Sequence, residues 1–255
     1  MPAKLLIGVL GAALLAAGAA PADPLPSGTS FLSDELRTLE ADAASNPGML
    51  WVDEGERLWS TRAGAANRSC ADCHGAAESA MRGVAARYPA VDAARGDLLN
   101  LEGRINRCRT THQRAEPLAY ETDALLGLTA FVARQSLGLP MQVETGGAAA
   151  PFYAAGEAAF QRRQGQLNLS CAQCHRDNAG RSLRGDVISY GLGAGYPAYR
   201  LEWQTLGSLH RRLRSCAFGV RANQRDYGSA EYLALELYLA ARAEGVAIQA
   251  PAIRR

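Results

Sequence analysis

Apolar residues recur three and four positions apart in several stretches of this chain, the spacing of one helix face rather than of a strand. Asp123–Ala133 carries Leu125, Leu126, Leu128, Phe131 and Val132, and Glu231–Ala240 carries Leu233, Leu235, Leu237 and Leu239. Both stretches read as helices. Further helices are expected to start near Gly55 and Gly156, each with an aromatic residue four positions on, Trp59 and Phe160. Those aromatics read as core packing. Phe31–Ala44 carries Leu32, Leu36 and Leu39 at helical spacing, which predicts an additional helix packed on a domain. The predicted class is mainly α.

Breakers divide the chain. Gly138-Leu-Pro140 closes one helical stretch, and Thr145-Gly-Gly-Ala-Ala-Ala-Pro151 follows it. The expected organisation is an N-terminal extension with a helix at 23–48, a first domain at 49–139, a linker at 140–150 and a second domain at 151–255. Residues 1–22 read as a secretory signal. Lys4 gives the charged start, Leu5–Ala16 the apolar run, and the small residues beyond it a cleavage site, placed after Ala22 with Ala19 and Ala20 as alternatives. The run is too short for the roughly 20 residues of a membrane span. The mature chain is expected to work in the periplasm with no membrane span.

Composition adds two constraints. Formal net charge is +2, a balance that gives no reason to expect nucleic acid as a partner. Lys4 is the only lysine and no methionine follows Met141, so two possible iron-ligand types are absent from the second domain.

The cysteines carry the chemistry. Cys70-Ala-Asp-Cys73-His74 and Cys171-Ala-Gln-Cys174-His175 both read C-x-x-C-H. Two thiols on one helical turn add to the two vinyl groups of a haem, and the next histidine offers its imidazole to the iron. Zinc or disulfide chemistry is the alternative for such a spacing. Two copies with adjoining histidines, behind an export signal, point instead to two covalently bound c-type haems. Cys70, Cys73, Cys171 and Cys174 are then the attachment residues, and His74 and His175 the iron ligands.

These motifs sit in a longer repeat. Gly55 and Gly156 each precede their motif by 15 residues. Tyr88-Pro-Ala90 and Tyr196-Pro-Ala198 recur, with each proline 19 residues before a further cysteine, Cys108 or Cys216. Leu101 and Leu209 fall seven residues before those cysteines, and Leu125 and Leu233 fall 17 after. The glycine–aromatic start and the leucine-rich final helix are similar to the cytochrome c fold. The expected architecture is two tandem cytochrome c-like domains related by internal duplication.

The second axial position on each iron needs a candidate. In the second domain the strong donors are His210 and Cys216; in the first they are Met81, Met141, His112 and Cys108. A shared ligand should occur at a shared position. Only Cys108 and Cys216 do, since His210 aligns with Glu102 and His112 with Val220. Axial thiolates at Cys108 and Cys216 are therefore favoured, which would give low potentials. A Cys108–Cys216 disulfide and free structural thiols remain the alternatives. A helix through 208–216 would place Arg212 one turn before Cys216 and over its sulfur. Arg104 precedes Cys108 by the same four residues, so spacing does not say which site is reactive. The denser arginines and a glycine-rich insertion, Ser189–Tyr196, favour the second; that insertion is expected to open a channel or to be a longer surface loop.

Paired C-x-x-C-H units, each followed by a cysteine, with Arg-Arg-Leu-Arg-Ser-Cys at 211–216, resemble the SoxA family of thiosulfate-oxidising systems. The resemblance spans nearly the whole mature chain. It implies L-cysteine S-thiosulfotransferase activity: oxidative conjugation of thiosulfate to a cysteine of the carrier protein SoxYZ. It also implies a heterodimer with the small c-type cytochrome SoxX. Cys216 is implied to ligate the active haem as a cysteine persulfide, and Arg212 to bind the substrate anion. A dihaem electron-transfer cytochrome, a thiosulfate dehydrogenase and, more remotely, a dihaem peroxidase are the other classes.

Overall fold

Gly55 lies directly against the backbone of Gly127, where an added Cβ would come within 2.1 Å of the Gly127 carbonyl oxygen. Gly156 lies against Ala234 in the same way, its Cβ position 2.0 Å from that carbonyl oxygen. These two close approaches fix the two halves of the structure. The computed structural model describes residues 23–255; the expected signal segment at 1–22 lies outside the described residues. No helix among the described residues is long and apolar enough to cross a membrane.

The first half contains α2 (Met49–Ser60), α3 (Ala71–His74), α4 (Ala77–Ala80), α5 (Leu101–Cys108) and α6 (Asp123–Arg134), preceded by α1 (Asp34–Ala41). The second contains α7 (Ala150–Gln161), α8 (Cys171–His175), α9 (Leu209–Gly219) and α10 (Ala230–Arg242). Helices α2 and α6 cross at Gly55, and α7 and α10 cross at Gly156. Leu125, Leu126 and Leu128 on α6, and Leu235, Leu237 and Leu239 on α10, are buried. The expected aromatics are core residues: Trp59 is buried against Phe131 with ring centroids 5.9 Å apart, and Phe160 against Tyr238 at 5.2 Å.

Small hairpins repeat as well. Strand β1 (Ala90–Val91) pairs with β2 (Leu98–Leu99), Ala90 opposite Leu99. After the exposed hairpin of β3 (Ser182–Leu183) and β4 (Asp186–Val187), strand β5 (Ala198–Arg200) pairs with β6 (Thr205–Gly207), Ala198 opposite Gly207. Each hairpin leads to a capped helix. The Asn100 side chain accepts from the Gly103 N–H at the start of α5, and Ser208 accepts from the Arg211 N–H at the start of α9. The two tandem cytochrome c-like units are thus equivalent down to their caps.

The repeat registers then slip by one. From Tyr88 and Tyr196 to Cys108 and Cys216 the equivalent residues are 108 positions apart. At the helix crossings they are 107 apart, because Gly127 matches Ala234 and Phe131 matches Tyr238. A π-helical turn at Arg109–Gln113, directly after Cys108, holds the extra residue. Below it, the carbonyl of Gln113 meets the Gly64 position as that of Val220 meets Gly165. This corrects the pairings drawn from sequence: Leu125 is matched by Tyr232 rather than Leu233, and Val220 by Gln113 rather than His112.

The termini bind the units together. The final strand, β7 (Ala252–Arg254), adds parallel to β5. Residues 138–141 hydrogen-bond to 245–248, with the Met141 N–H 2.9 Å from the Val246 oxygen. The N-terminal helix α1 packs on β7, where Glu40 accepts from the Ile253 N–H at 2.7 Å and pairs with Arg254 at 2.6 Å. The segment beyond Gly138 is therefore packed on the C-terminal tail, and Met141 is a core residue.

Substituting Gly156→Ala forces a methyl group into the Ala234 carbonyl. Overpacking of this kind costs about 1–3 kcal/mol. The expected result is a clear fall in the thermal midpoint, with Gly219→Ala, where nothing lies within 4 Å of an added Cβ, as the neutral control.

Candidate haem pockets

Helix α8 begins with a reciprocal cap. Ser170 accepts from the Gln173 N–H at 3.2 Å, and the Gln173 side chain accepts from the Ser170 N–H at 2.9 Å. The single turn that follows carries Cys171, Cys174 and His175. Ser69 and Asp72 perform the same exchange ahead of Cys73 and His74, with distances of 3.0 and 2.9 Å. Both C-x-x-C-H motifs are therefore short, capped turns with the histidine at the end.

The environment of His175 is built by the Ser189–Tyr196 segment. The Ser189 carbonyl oxygen lies 2.7 Å from His175 Nδ1, which holds the ring and leaves Nε2 for another partner. Gly191 has φ +68° and packs so closely that a Cβ would stand 2.7 Å from His175 Cγ. Arg242 donates to the Tyr190 and His175 carbonyl oxygens at 2.8 and 3.3 Å. The glycine-rich segment clamps the imidazole rather than opening a channel.

Cys216 faces that imidazole from α9. Burial pushes its thiol pKa up, but Arg212, His175 and Arg200 more than reverse this and bring it down to about 7. Its charge reaches Cys171 and Cys174 and raises both of their pKa values, burial being the larger cause in each. In the first unit Cys108 is grouped with Cys70 and Cys73, and burial raises its thiol despite the opposing charge of Arg104. His74 packs against Trp59, ring centroids 5.7 Å apart. All six cysteines are free, with Cys108 in one cluster and Cys216 in the other. The disulfide alternative has no support in this geometry.

The other donors weighed from sequence lie elsewhere. His210 is fully buried, 2.9 Å from Glu236 and stacked on Tyr120. His112 is exposed on the π turn, and Met81 packs against the hydrophobic core. Each unit thus gathers two attachment thiols and a further thiol, and in the second unit an oriented imidazole faces that thiol. This donor set fits a covalently attached haem held between His175 and Cys216.

The arginines separate the two pockets. Arg104 is committed to Asp92 at 3.1 Å and to the Tyr88 hydroxyl at 3.0 Å. Arg212 is in the same position relative to its cysteine, and among the described residues no carboxylate pairs with it. The Cys216 charge is the largest influence raising its pKa. Arg211 and Arg214 are occupied: Arg211 lies over Trp203 and 3.9 Å from Glu121, and Arg214 covers Tyr227 and donates to the Arg225 carbonyl.

Sequence reasoning missed one residue. The position equivalent to Asp92 is Arg200, at the end of β5. Arg200 is only 6% exposed; its guanidinium reaches the exposed Glu202 at 3.4 Å, its Nε lacks a hydrogen-bond partner, and its charge acts on Cys216. The signal was present in the repeat, because Tyr88-Pro-Ala-Val-Asp92 aligns without gaps to Tyr196-Pro-Ala-Tyr-Arg200. Where the first unit neutralises its arginine, the second adds another.

These features define the class of tandem c-type cytochromes. Residues 54–141 and 155–248 each match the family described as "SoxA/TsdA, cytochrome c domain". The chain belongs to this family. It is 38% identical over 236 residues to the L-cysteine S-thiosulfotransferase subunit SoxA of Pseudaminobacter salicylatoxidans, covering 92% of this chain and 82% of that one. The SoxA subunit of Rhodovulum sulfidophilum is 36% identical over 232 residues, covering 91% and 81%. The crystal structure of SoxXA from P. pantotrophus superposes with a TM-score of 0.87 at 35% identity, covering 91% of this chain and 87% of that chain.

Peptide mapping under non-reducing conditions should recover Cys108 and Cys216 in separate peptides. A peptide linked through these two cysteines would contradict the two-cluster geometry.

Proposed function

We propose that this chain is the SoxA subunit of an L-cysteine S-thiosulfotransferase, with chemistry at the second pocket. The observation that carries this reading is the Arg212 guanidinium, left without a carboxylate and set beside the Cys216 sulfur. A guanidinium fork matches the oxygens of a sulfonate. Arg200 adds a second cation, itself buried, whose charge acts on Cys216. Together they attract a dianion such as thiosulfate and hold its sulfonate end, so that its terminal sulfur meets sulfur on Cys216.

Cys216 is the catalytic residue, working as a persulfide. Joining its outer sulfur to thiosulfate forms one S–S bond and releases two electrons. A thiolate of the carrier protein SoxYZ then attacks the sulfur next to the sulfonate-bearing end, takes up the thiosulfate group and leaves the Cys216 persulfide as before. Cys171, Cys174, His175 and Cys216 would hold a haem, which would accept these two electrons one at a time and pass each on before taking the next. Arg212 and Arg200 keep the sulfonate charge compensated while the new bond forms. Ser189 and Gly191 hold the imidazole in one orientation throughout.

The first unit suits a different task. Cys70 and Cys73 would hold a second haem with His74 and Cys108 as ligands, and Arg104, the counterpart of Arg212, is neutralised by Asp92. That unit relays electrons. The working enzyme is a periplasmic heterodimer with the small c-type cytochrome SoxX, exported by the segment at 1–22.

Intact-mass analysis should show two haem additions per chain and extra sulfur on Cys216. Cys216→Ala should abolish the thiosulfate-dependent mass gain on the carrier cysteine, and Cys108→Ala should leave part of it. Equal, full activity in both variants would refute the assignment. Arg200→Ala removes one buried charge-assisted contact, of about 1.5–3 kcal/mol, and should lower kcat/KM for thiosulfate by about 10- to 100-fold.

A further inference from the structure

Equivalent residues of the two units meet one another at the centre of the molecule. Tyr120 and Tyr227 stack with ring centroids 5.7 Å apart. Tyr88 and Tyr196, and Leu101 and Leu209, line one partly open cavity of about 50 Å³. Contacts between equivalent positions mark a pseudo-twofold axis. Glu102 and His210 are also an equivalent pair, each on the first turn of its helix and six residues before its cysteine. The duplication has therefore put an acid and a base together on the axis.

Glu102 is the anomaly. It is 6% exposed, and among the described residues no other side chain hydrogen-bonds or ion-pairs with it; its own backbone N–H is the group that reaches it. Its side chain lines the central cavity together with Glu236. That volume is enough for a water molecule. A carboxyl group in such a place is costly to ionise. Burial and the neighbouring Glu236 raise its pKa to about 8, with His210 opposing. Burial alone lowers the pKa of His210, and Glu236, Glu102 and Glu121 raise it by more.

Every packed element contributes to this cluster. From α10, Glu236 contacts His210 at 2.9 Å and accepts from Asn100 Nδ2 at 3.1 Å, while Tyr232 packs against His210 at 5.3 Å. From the loop before α6, Tyr120 donates to Asn100 Oδ1 at 3.0 Å, and Glu121 sits 3.9 Å from Arg211 of α9. From the loop before α10, the Gly228 N–H donates to His210 Nδ1 at 3.0 Å. The nearest cation on α5, Arg104, is turned away to Asp92. None of these groups has a part in the sulfur chemistry.

We propose that Glu102 is a proton-binding site coupled to electron entry at the two haem pockets. Helices α5 and α9 each carry a member of the cluster at one end and a cysteine ligand at the other, about 9 Å apart along the axis at 1.5 Å per residue. One electron arriving at a pocket adds one negative charge within this poorly screened interior. The Glu102 carboxylate then takes one proton from solvent, forming an O–H bond, and releases it when the electron leaves. No other bond changes. In turnover the electron comes from the sulfur coupling at Cys216, and in the test below dithionite supplies it; the proton comes from solvent in both cases.

This inference rests on haem occupying both pockets and does not depend on thiosulfate being the substrate. The test is a spectroelectrochemical titration of the purified haem-loaded protein with its partner chain, combined with proton uptake followed by an indicator dye on reduction with dithionite. In the wild type, at least one haem midpoint should be flat below about pH 7 and fall above about pH 8, with proton uptake appearing in the same window. Glu102→Gln should retain the haem spectrum and lose both the slope and the uptake. Glu236→Gln removes the neighbouring carboxylate that raises the Glu102 carboxyl, so the slope should begin at lower pH. Wild-type midpoints independent of pH, or a slope unchanged in Glu102→Gln, would overturn the proposal. An onset unmoved in Glu236→Gln would count against it equally. The wild-type measurement decides even if a variant fails to fold.

Discussion

Two helices can bring their backbones into contact only where no side chain stands between them. Gly55 against Gly127, and Gly156 against Ala234, are those places in this chain. Everything else hangs from the two crossings. They place Trp59 and Phe160 in the core, set the angle at which α3 and α8 present their cysteines, and return α5 and α9 to face those motifs. A β-carbon at either glycine would separate the helices and, with them, the histidine from the opposing thiol. The buried leucines of α6 and α10 add apolar stabilisation, but the closeness of the crossing decides the geometry.

On this duplicated frame the two units diverge at few positions, and those positions carry the functional asymmetry. Asp92 and Arg200 are equivalent, and their opposite charges give Arg104 and Arg212 opposite fates. One guanidinium is neutralised and held by a tyrosine; the other is left to the sulfur. A buried cation with no anion of its own is expensive unless a charged ligand completes it. The first unit also carries its extra residue as a π turn immediately after Cys108. The single-residue insertion is absorbed there, so the chain re-enters the shared register before the helix crossing. The longer second unit places its added length in the exposed β3–β4 hairpin and uses the following segment to clamp His175.

Much of this was legible in the chain itself. The 3.6-residue periodicity of α6 and α10 identified them, and the breakers at 138–151 located the division. The matched intervals from Gly55 to Cys70 and from Gly156 to Cys171 recovered the duplication and with it the pairing of Cys108 with Cys216. Arg200 is legible in the same alignment, at the position that Asp92 fills in the first unit. The one-residue slip after Cys108 was not recoverable, since leucines spaced along both final helices match almost as well at 107 as at 108. Likewise, Ser189–Tyr196 reads as a loose loop because glycine signals conformational freedom. In the structure that freedom is spent on a close approach to an imidazole ring.

The sequence by itself determined the helical class, the two C-x-x-C-H attachment turns, the duplicated frame and the residues that occupy equivalent places within it. These depend on local periodicity and on spacing along one chain. Only the tertiary structure decided which arginine is free, that His210 is held by Glu236 rather than turned toward a haem pocket, and that Glu102 is buried beside it. Those outcomes depend on charges and ring faces brought together by helices that meet across the pseudo-twofold axis. Coulomb forces and desolvation act through space, and no interval along the chain encodes which groups will share a low-dielectric site.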